Sequence, residues 1–262
     1  MQIRNLRFLF DVPRYWHPAG RAVTIYTNNL SIFFPAGERF FIASVKAHER
    51  FVTDAGLKED VRGFCGQEAI HRREHEAYNR MLAAQGYPVA ELERGVERIL
   101  ALVTRVLPKR WQLAATVALE HFTASMGHGL LADARILAGA HPEMAALWRW
   151  HAIEENEHKA VAFDVFCAAG GTRFERSFIM LGATIIFWLK VIEQQWRMMH
   201  ADGIAWDLAE WKQLARFLFV TPGPMRELFS LYLPYFRRDF HPWDFDNRAL
   251  VARAAAATWE AA

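Results

Sequence analysis

Cysteine is scarce in this sequence. The 262 residues contain two cysteines, Cys65 and Cys167, and no C-x-x-C pair. Two isolated thiols do not make a disulfide framework or a thiolate zinc site, and they are typical of a reducing compartment. The first sixteen residues hold only a short apolar run that Asp11 and Pro13 interrupt, which does not resemble a signal peptide. We therefore expect a cytoplasmic protein, with membrane association as the alternative.

Long apolar runs are also lacking. The one run to consider as a membrane-spanning segment, Phe178 to Leu189, spans twelve residues between Arg176 and Lys190. A membrane-spanning helix needs about 20 such residues, so this run is too short on its own. We expect a buried core helix here. A helix on a membrane surface, or one facing an apolar ligand, is the alternative.

An excess of one charge sign is missing as well. The formal net charge is +2, and acidic and basic residues are interspersed, so we expect no nucleic-acid partner. Hydrophobic residues make up 53% of the chain, which is enough to fill a core and excludes a disordered protein. No useful stretch alternates with the period of two that strands require. The sequence therefore predicts an all-α protein, with a single domain over residues 1–262.

Apolar spacing divides that domain into three parts. Residues 1–34 look like an ordered irregular arm, 35–170 like a metal-binding bundle, and 171–262 like additional helices and a tail. The four main helices are predicted at 35–53, 58–85, 110–138 and 143–169. An amphipathic helix over 91–107 would form the crossover between the second and third. Later helices are expected at 173–200, 206–218 and 224–233, followed by a non-helical tail over 236–246.

The segment from His151 to His158 has the clearest chemical pattern. Its sequence, HAIEENEH, places His151, Glu155 and His158 on one helix face, because their separations are three, four and seven residues. Bundles that hold two metals in their core use a Glu-x-x-His pair on each of two helices and one Glu on each of the others. Glu154 competes with Glu155 for the carboxylate position, and the three-residue spacing favours Glu155.

The remaining parts of such a site occur earlier in the chain. Glu68 and His71 form a second Glu-x-x-His pair, and His75 follows one turn later. Glu38 and Glu120 are single carboxylates on otherwise apolar helix faces. The first precedes its pair by thirty residues (Glu38 to Glu68) and the second by thirty-five (Glu120 to Glu155). Each gap is about half a helix, a turn and half a helix, so packing the two halves brings all four helices to one centre.

Charge indicates how many metals such a site would hold. Four buried carboxylates carry about −4, which two divalent cations would neutralise. Carboxylates with a few imidazoles suit iron or manganese better than zinc. We therefore predict two metal ions, with iron favoured and manganese or zinc as alternatives. His151 is predicted as a ligand, with a structural role as the alternative. His75 and Glu154 are predicted to support the ligands, with direct ligation as the alternative.

At these residues the sequence resembles the ferritin-like di-iron carboxylate proteins. Over most of its length it is similar to the bacterial family described as predicted metal-dependent hydrolases. That resemblance rests on these segments: Phe34–Glu38, Gln67–His71 with His75, Glu120–Phe122, His151–His158 and Phe240–Trp243. It implies a ferritin-like four-helix bundle with a crossover helix, a metal-dependent enzyme and a C-terminal region that belongs to the same unit.

A narrower resemblance concerns the fourth helix alone. His151-x-x-x-Glu155-x-x-His158 is similar to the motif of the p-aminobenzoate N-oxygenases, which are di-iron enzymes with four carboxylates and three histidines. The resemblance implies a bridging role for Glu68 or Glu155. The full ligand set that it implies is Glu38, Glu68, His71, Glu120, His151, Glu155 and His158.

Three functions are compatible with this pattern. The favoured hypothesis is a di-iron oxygenase or oxidase that activates O2, acts on a small or hydrophobic substrate and takes electrons from an external donor. The first alternative is a metal-dependent hydrolase with a dinuclear centre. The second is a non-enzymatic iron-binding or sensing protein. The apolar C-terminal third favours a hydrophobic substrate, and peripheral membrane contact and a homodimer are further expectations.

Overall fold

The computed structural model describes residues 1–259, and in that part of the chain every regular element is helical. The all-α prediction is therefore confirmed. The α-helices are α1 (Arg21–Lys46), α2 (Ala55–Ala84), α3 (Val89–Val106), α4 (Lys109–Ala132), α5 (Pro142–His158), α6 (Val161–Ala168), α7 (Arg173–Ala201), α8 (Leu208–Phe219), α9 (Pro224–Tyr232) and α10 (Arg248–Trp259). The last three residues of the predicted region 171–262 lie outside the described residues. The single-domain assignment stays a prediction.

Four helices form the centre of the bundle. α1 packs along α2, and α4 packs along α5. Contacts between α1 and α4 and between α2 and α5 join these two pairs. The amphipathic helix α3 lies on α1 and α2, as its place between the second and third main helices predicts. α7 packs against α4 and α1.

The first helix begins fourteen residues earlier than the sequence predicts, at Arg21 rather than Pro35. The irregular arm is therefore residues 1–20, not 1–34. Pro35 lies inside α1, where it removes one helical hydrogen bond but does not end the helix. Asn28 and Asn29 are of a residue type that favours turns, yet both lie inside α1 and are fully buried. The Asn28 side chain accepts a hydrogen bond of 2.8 Å from the Trp16 indole, so tertiary contacts outweigh its preference for turns.

Residues 1–20 form the expected ordered arm against the bundle. The Arg4 guanidinium donates to Glu154 at 3.1 Å and to Glu157 at 2.7 and 2.8 Å. Further along the arm, the Phe8 and Trp150 rings lie 5.4 Å apart between centroids. The arm therefore covers the outer side of α5, directly behind the segment that carries the histidine and glutamate motif.

The predicted fourth helix over 143–169 is interrupted. α5 ends at His158 and α6 begins at Val161, with a turn at residues 159 and 160 between them. Lys159 in this turn is buried, and its ammonium donates to the Phe245 carbonyl at 2.7 Å and to Asn247 at 2.8 Å. A buried ammonium needs such partners, and they come from the segment just before α10. The sequence did not predict α10.

The apolar run on α7 is not a buried core helix, so that expectation was wrong. Only 22% of its most apolar 18-residue window is buried, and by length and composition α7 could cross a membrane. Its exposed apolar side chains include Phe174, Phe178, Leu181, Ile185, Leu189, Ile192 and Trp196. Recurrence every three or four residues places them in one stripe. Periodicity predicts a helix and its apolar side, but what covers that side depends on elements far away in sequence.

Candidate metal centre

The seven residues predicted as metal ligands come together in the middle of the four central helices. None of them is more than 3% exposed. α1 provides Glu38, α2 provides Glu68 and His71, α4 provides Glu120, and α5 provides His151, Glu155 and His158. Their spacing on each helix turns every one of these side chains inward, as the sequence predicts.

His158 lies between three carboxylates. Its Nε2 atom is 3.2 Å from Oε1 of Glu68, 3.4 Å from Oε2 of Glu120 and 3.7 Å from Oε2 of Glu155. These side chains come from α2, α4 and α5, so one group of ligand atoms joins three helices. Glu68, Glu155 and His158 alone offer atoms that lie within 4.8 Å of one another, close enough to hold one ion.

His71 and His151 form a second group around the same two central carboxylates. The Nδ1 atom of His71 is 3.5 Å from Oε1 of Glu155 and 3.7 Å from Oε1 of Glu68. The Nε2 atom of His151 is 3.0 Å from Oε1 of Glu155. Glu38 joins this side, because it offers a ligand atom within 4.8 Å of those of Glu68 and His71. Glu68 and Glu155 therefore lie between the two groups.

These inward-facing atoms lack hydrogen-bond partners. The buried unpartnered atoms of this cluster are both carboxylate oxygens of Glu38, Glu68 and Glu120, Oε2 of Glu155, Nδ1 of His71 and Nε2 of His151 and His158. Leaving a buried polar atom unpaired costs about 1–3 kcal/mol, and more for a charged group. A cluster with this many unpaired buried atoms strongly destabilises the fold unless cations bind at its centre. The donor set therefore fits a metal centre.

The outward nitrogen of His71 is, in contrast, well partnered. Its Nε2 atom donates to Oε2 of Glu154 at 2.9 Å, and Oε1 of Glu154 accepts from Arg4 at 3.1 Å. Burial raises the pKa of Glu154, but His71 and Arg4 outweigh it, so the pKa lies below its ordinary value. Glu154 is thus an ionised carboxylate that orients His71, and Glu155 is the one that faces the centre.

His151 is oriented by a longer chain of hydrogen bonds. Because its Nε2 faces the carboxylates, its Nδ1 donates to Nε2 of His75 at 3.0 Å. His75 in turn donates from Nδ1 to Ser31 at 2.9 Å, and the Ser31 hydroxyl donates to Asn79 at 2.8 Å. Burial and then the neighbouring His151 hold the pKa of His75 well below its ordinary value. Both nitrogens of this neutral ring are in use, which favours a supporting role for His75.

His158 is held in the same manner by an amide. Its Nδ1 donates to Oε1 of Gln67 at 2.9 Å. The Gln67 amide donates onward to Glu157 at 2.9 Å and to the Gln2 carbonyl at 2.9 Å. All three inward-facing histidines therefore have a fixed ring orientation, with the outer nitrogen bonded to protein. Metal-ligating histidines almost always show this arrangement.

Aromatic rings close the space around the histidines. The Phe34 ring lies 4.4 Å from the ring centroids of both His75 and His151. The Trp150 ring meets His71 at 4.8 Å in an edge-on contact. These contacts leave the imidazoles little freedom to rotate, and they lower the local dielectric around the carboxylates.

The crowding of carboxylates shifts their pKa values apart. Burial, followed by repulsion from Glu68 and Glu155, raises the pKa of Glu120 to about 8. Burial and then Glu68 likewise raise the pKa of Glu38 well above its ordinary value. Burial lowers the pKa of His71, but the adjacent carboxylates outweigh it and raise the pKa to about 10. Without metal, the cluster therefore reduces its charge by keeping protons, which metal ions must displace.

Several residues of this site were missed by the sequence reasoning. Gln67 and Phe34 lie inside motifs that the sequence analysis singled out, but nothing in the sequence indicated that they hold His158 and pack on His151. Ser31, seven residues before Glu38, and Asn79, eight after His71, share the ligands' helix faces, but ordinary polar side chains give no signal of a metal site. Arg4 lies 150 residues from its partner in the chain, so only the tertiary structure reveals the contact.

A comparison with known protein families gives one result. A family model described as predicted metal-dependent hydrolase matches residues 2–246. The matched range includes the arm, all four ligand-bearing helices and the long apolar helix. This confirms the resemblance that the motifs indicated, whereas the ferritin-like and N-oxygenase resemblances stay predictions. No curated protein and no solved structure matches the chain.

Proposed function

This chain belongs to the family described as predicted metal-dependent hydrolases, and we propose that it is a hydrolase with a dinuclear metal centre. The observation that carries the proposal is the set of buried, unpartnered ligand atoms that face one another from four helices. The outward nitrogens of the same histidines are paired inside the protein, and the other buried unpaired atoms of the described residues include no carboxylate oxygen.

The geometry supports a division of the ligands between two ions. One ion would be held by Glu38, His71 and His151, and the other by Glu120 and His158. Glu68 and Glu155 would be shared, since each lies within 3.7 Å of histidine nitrogens on both sides. Four carboxylates and two divalent cations give a neutral centre, which removes the repulsion that raises the carboxylate pKa values.

A metal pair at this position would supply Lewis acidity and lower the pKa of a bound water. The chain contributes the orientation of the ligands. Glu154, His75 and Gln67 fix the three imidazole rings, and ionised Glu154 increases the electron density on His71. Phe34 and Trp150 keep bulk water away from the carboxylates.

The test is metal-dependent hydrolysis. Purified protein is treated with chelator, and the hydrolysis of 4-nitrophenyl acetate and bis(4-nitrophenyl) phosphate is measured before and after adding manganese, zinc or ferrous ions. We expect activity to disappear with chelator and to return with two ions per chain. The Glu68→Ala variant should stay inactive, and Glu76→Ala, a half-exposed carboxylate on the same helix, should be restored normally. Activity that persists in the metal-free protein would contradict the proposal.

An O2-activating oxidoreductase is the second candidate, and one observation favours it. The centre holds four carboxylates and three imidazoles and no thiolate, a hard ligand set that suits iron or manganese. This was the favoured hypothesis from the sequence, but the family description supports the hydrolase alternative better. Ferrous ions added in air distinguish the two, because an oxygen electrode would record O2 consumption faster than that of a protein-free ferrous solution only for the oxidoreductase. Metal binding with neither activity would instead favour the iron-binding or sensing role.

The order of the ligands also supports a ferritin-like bundle. The chain presents Glu, Glu-x-x-His, Glu and Glu-x-x-His on α1, α2, α4 and α5, with α3 between the second and third of these helices. Ferritin-like di-metal proteins use this ligand order and need one long crossover connection. We include that fold in the proposal, and a crystal structure with the metals bound would test both parts.

A further inference from the structure

A large apolar cavity lies between α1, α3, α4 and α7. Its volume is about 590 Å³, within the range of about 300–1,000 Å³ typical of small-molecule sites. Its walls are nearly all aliphatic or aromatic, and Lys190 is the one charged residue among those that line it. That lysine forms an ion pair with Glu193, so its charge is already compensated. The cavity is therefore suited to an uncharged apolar group.

The cavity is elongated along the helices. It follows α3 from Val96 to Leu107 and α7 from Phe178 to Lys190. At a rise of 1.5 Å per residue, either wall is about 17 Å long. A cavity of this length and volume is narrow, so its shape matches an extended chain better than a compact ring system.

The inner side of the cavity lies beside two of the ligand-bearing helices, α1 and α4. Gly37 and Leu119 line it and directly precede Glu38 and Glu120 in the sequence. A second cavity of about 90 Å³ shares the lining residues Phe34 and Thr123 with the first and extends to His151. Phe34 and Thr123 thus lie between the long cavity and the smaller one, which is lined by a side chain that faces the predicted metals.

The outer side of the cavity is open and apolar. Leu102 and Val106 on α3 are more than half exposed, and so are Phe178, Leu181 and Ile185 on α7. All five line the cavity. An entrance with this composition admits a hydrocarbon chain without burying an unpaired polar group.

We propose that this cavity binds an unbranched alkyl or acyl chain and places the bond to be hydrolysed next to the metal centre. The substrate class is then a long-chain ester, amide or related acyl derivative. Because it identifies the substrate of the same centre, this inference rests on the proposed function. It adds a binding site, a chemical class and a direction of entry that the ligand cluster by itself does not contain.

Gly182 offers a way to fill the cavity without disturbing the fold. It lies on α7 and lines the cavity, and a Cβ added there would meet no heavy atom within 4 Å. Glycine is unfavourable inside a helix, so replacing it should not weaken α7. Gly182 is exposed on the open side of the cavity, so Gly182→Leu would place a side chain at its entrance and obstruct it. Gly182→Ala makes the same backbone change while leaving most of the volume open, so it is the matched control.

The experiment measures binding of 1-hexanol, 1-octanol and 1-decanol to the metal-loaded protein by titration calorimetry. We expect each added methylene to tighten binding about fourfold, since one buried CH₂ contributes ~0.8 kcal/mol. Gly182→Leu should weaken 1-decanol binding at least tenfold, and Gly182→Ala should change it less than threefold. Affinities that do not depend on chain length, or equal affinities of the two variants, would overturn the inference.

Hydrolysis of 4-nitrophenyl acetate and decanoate separates this inference from the proposed function. We expect kcat/KM to be higher for the decanoate and to fall selectively for it in Gly182→Leu. Chain-length-dependent alcohol binding without any metal-dependent hydrolysis would support the cavity assignment and contradict the hydrolase. Metal-dependent hydrolysis without any preference for the longer chain would contradict the cavity assignment and leave the hydrolase intact.

Discussion

The four ligand-bearing helices bury carboxylates and imidazoles completely, whereas the α3–α7 wall leaves leucine, isoleucine and phenylalanine in contact with solvent. Within the first region, polar atoms face one another without partners. Within the second, apolar side chains line an open cavity. Both arrangements reverse the usual distribution of residues between interior and surface.

This difference indicates how the two regions contribute to the protein. Buried carboxylates destabilise a metal-free fold, because burial and mutual repulsion oppose their ionisation. Exposed apolar side chains on α7 do not destabilise the fold much, but because they are not buried they also add little to its stability. Each region is therefore better explained by a ligand than by stability. Metal ions would complete the first region and a hydrocarbon chain the second.

The largest expected effect comes from removing a shared carboxylate. Glu68 lies close to His71 and to His158, so Glu68→Ala removes a ligand from both predicted ions. We expect metal content after reconstitution to fall from two ions per chain to one or none, measured by plasma emission spectrometry. Glu76→Ala on the same helix should retain both ions. Two bound ions per chain in Glu68→Ala would contradict the assignment of Glu68 as a shared metal ligand.

The next largest effect is the pH dependence of the metal-free protein. Glu120, with a pKa raised to about 8, and His71, with a pKa raised to about 10, keep protons in the folded state that the unfolded chain releases near 4.5 and 6.5. From pH 6.5 to 8 the folded state binds more protons, so the free energy of unfolding should fall by about 1.4 kcal/mol per pH unit for each group. Above pH 8 the Glu120 contribution ends, while the His71 contribution continues up to about pH 10.

Urea titrations at several pH values would measure this dependence, and the metal-loaded protein provides the control. Bound metals displace the same protons, so the decline in stability above pH 6.5 should largely disappear. A metal-free protein whose stability is constant from pH 6.5 to 8 would show that the buried carboxylates and imidazoles are not coupled in this way.

A smaller effect on metal affinity is expected from the residues that hydrogen-bond the outer nitrogens of the ligand histidines. His75→Leu removes the acceptor for Nδ1 of His151 and frees that ring to rotate. Loss of such a supporting contact typically weakens metal binding about 10- to 100-fold. Competition with a chelating dye would measure the affinity. His200→Leu, on the exposed end of α7, should leave it unchanged. If His75→Leu abolished one metal outright, His75 would be a ligand itself.

The smallest effect is expected on the apolar stripe of α7. Leu189 is 64% exposed and does not line the cavity, so Leu189→Ser should change the unfolding free energy by no more than about 0.5 kcal/mol. Phe122 is 1% exposed, and Phe122→Ala should cost about 3–5 kcal/mol. Urea denaturation of both variants tests the contrast. A large loss in Leu189→Ser would indicate that another surface covers the stripe in solution.

The same two regions show what the sequence could predict. The cluster was accessible because Glu68 and His71, or Glu155 and His158, are three residues apart, and a helix turns that local spacing into a shared direction. The choice between Glu154 and Glu155 was less secure, since neighbouring residues differ by only 100° around the helix. It depended on Arg4 and His71, which reach Glu154 from distant parts of the chain.

The apolar region was harder to predict because its character depends on tertiary neighbours. Periodicity predicted the α7 helix correctly, but whether Leu181 or Ile185 is covered depends on what α3 leaves open. In the same way, the start of α1 was placed too late, because the partners that hold Asn28 and Asn29 inside this helix are Trp16 and the distant Val191 carbonyl. Local spacing therefore predicted the candidate ligands, and long-range packing determined the cavity and its entrance.

The most direct test of this account is a crystal structure of the reconstituted protein with anomalous data at the edge of the added metal. We predict two metal peaks with Glu68 and Glu155 between them, both surrounded by the seven ligand residues Glu38, Glu68, His71, Glu120, His151, Glu155 and His158. A single ion, an ion elsewhere, or seven side chains that bind no metal would contradict it.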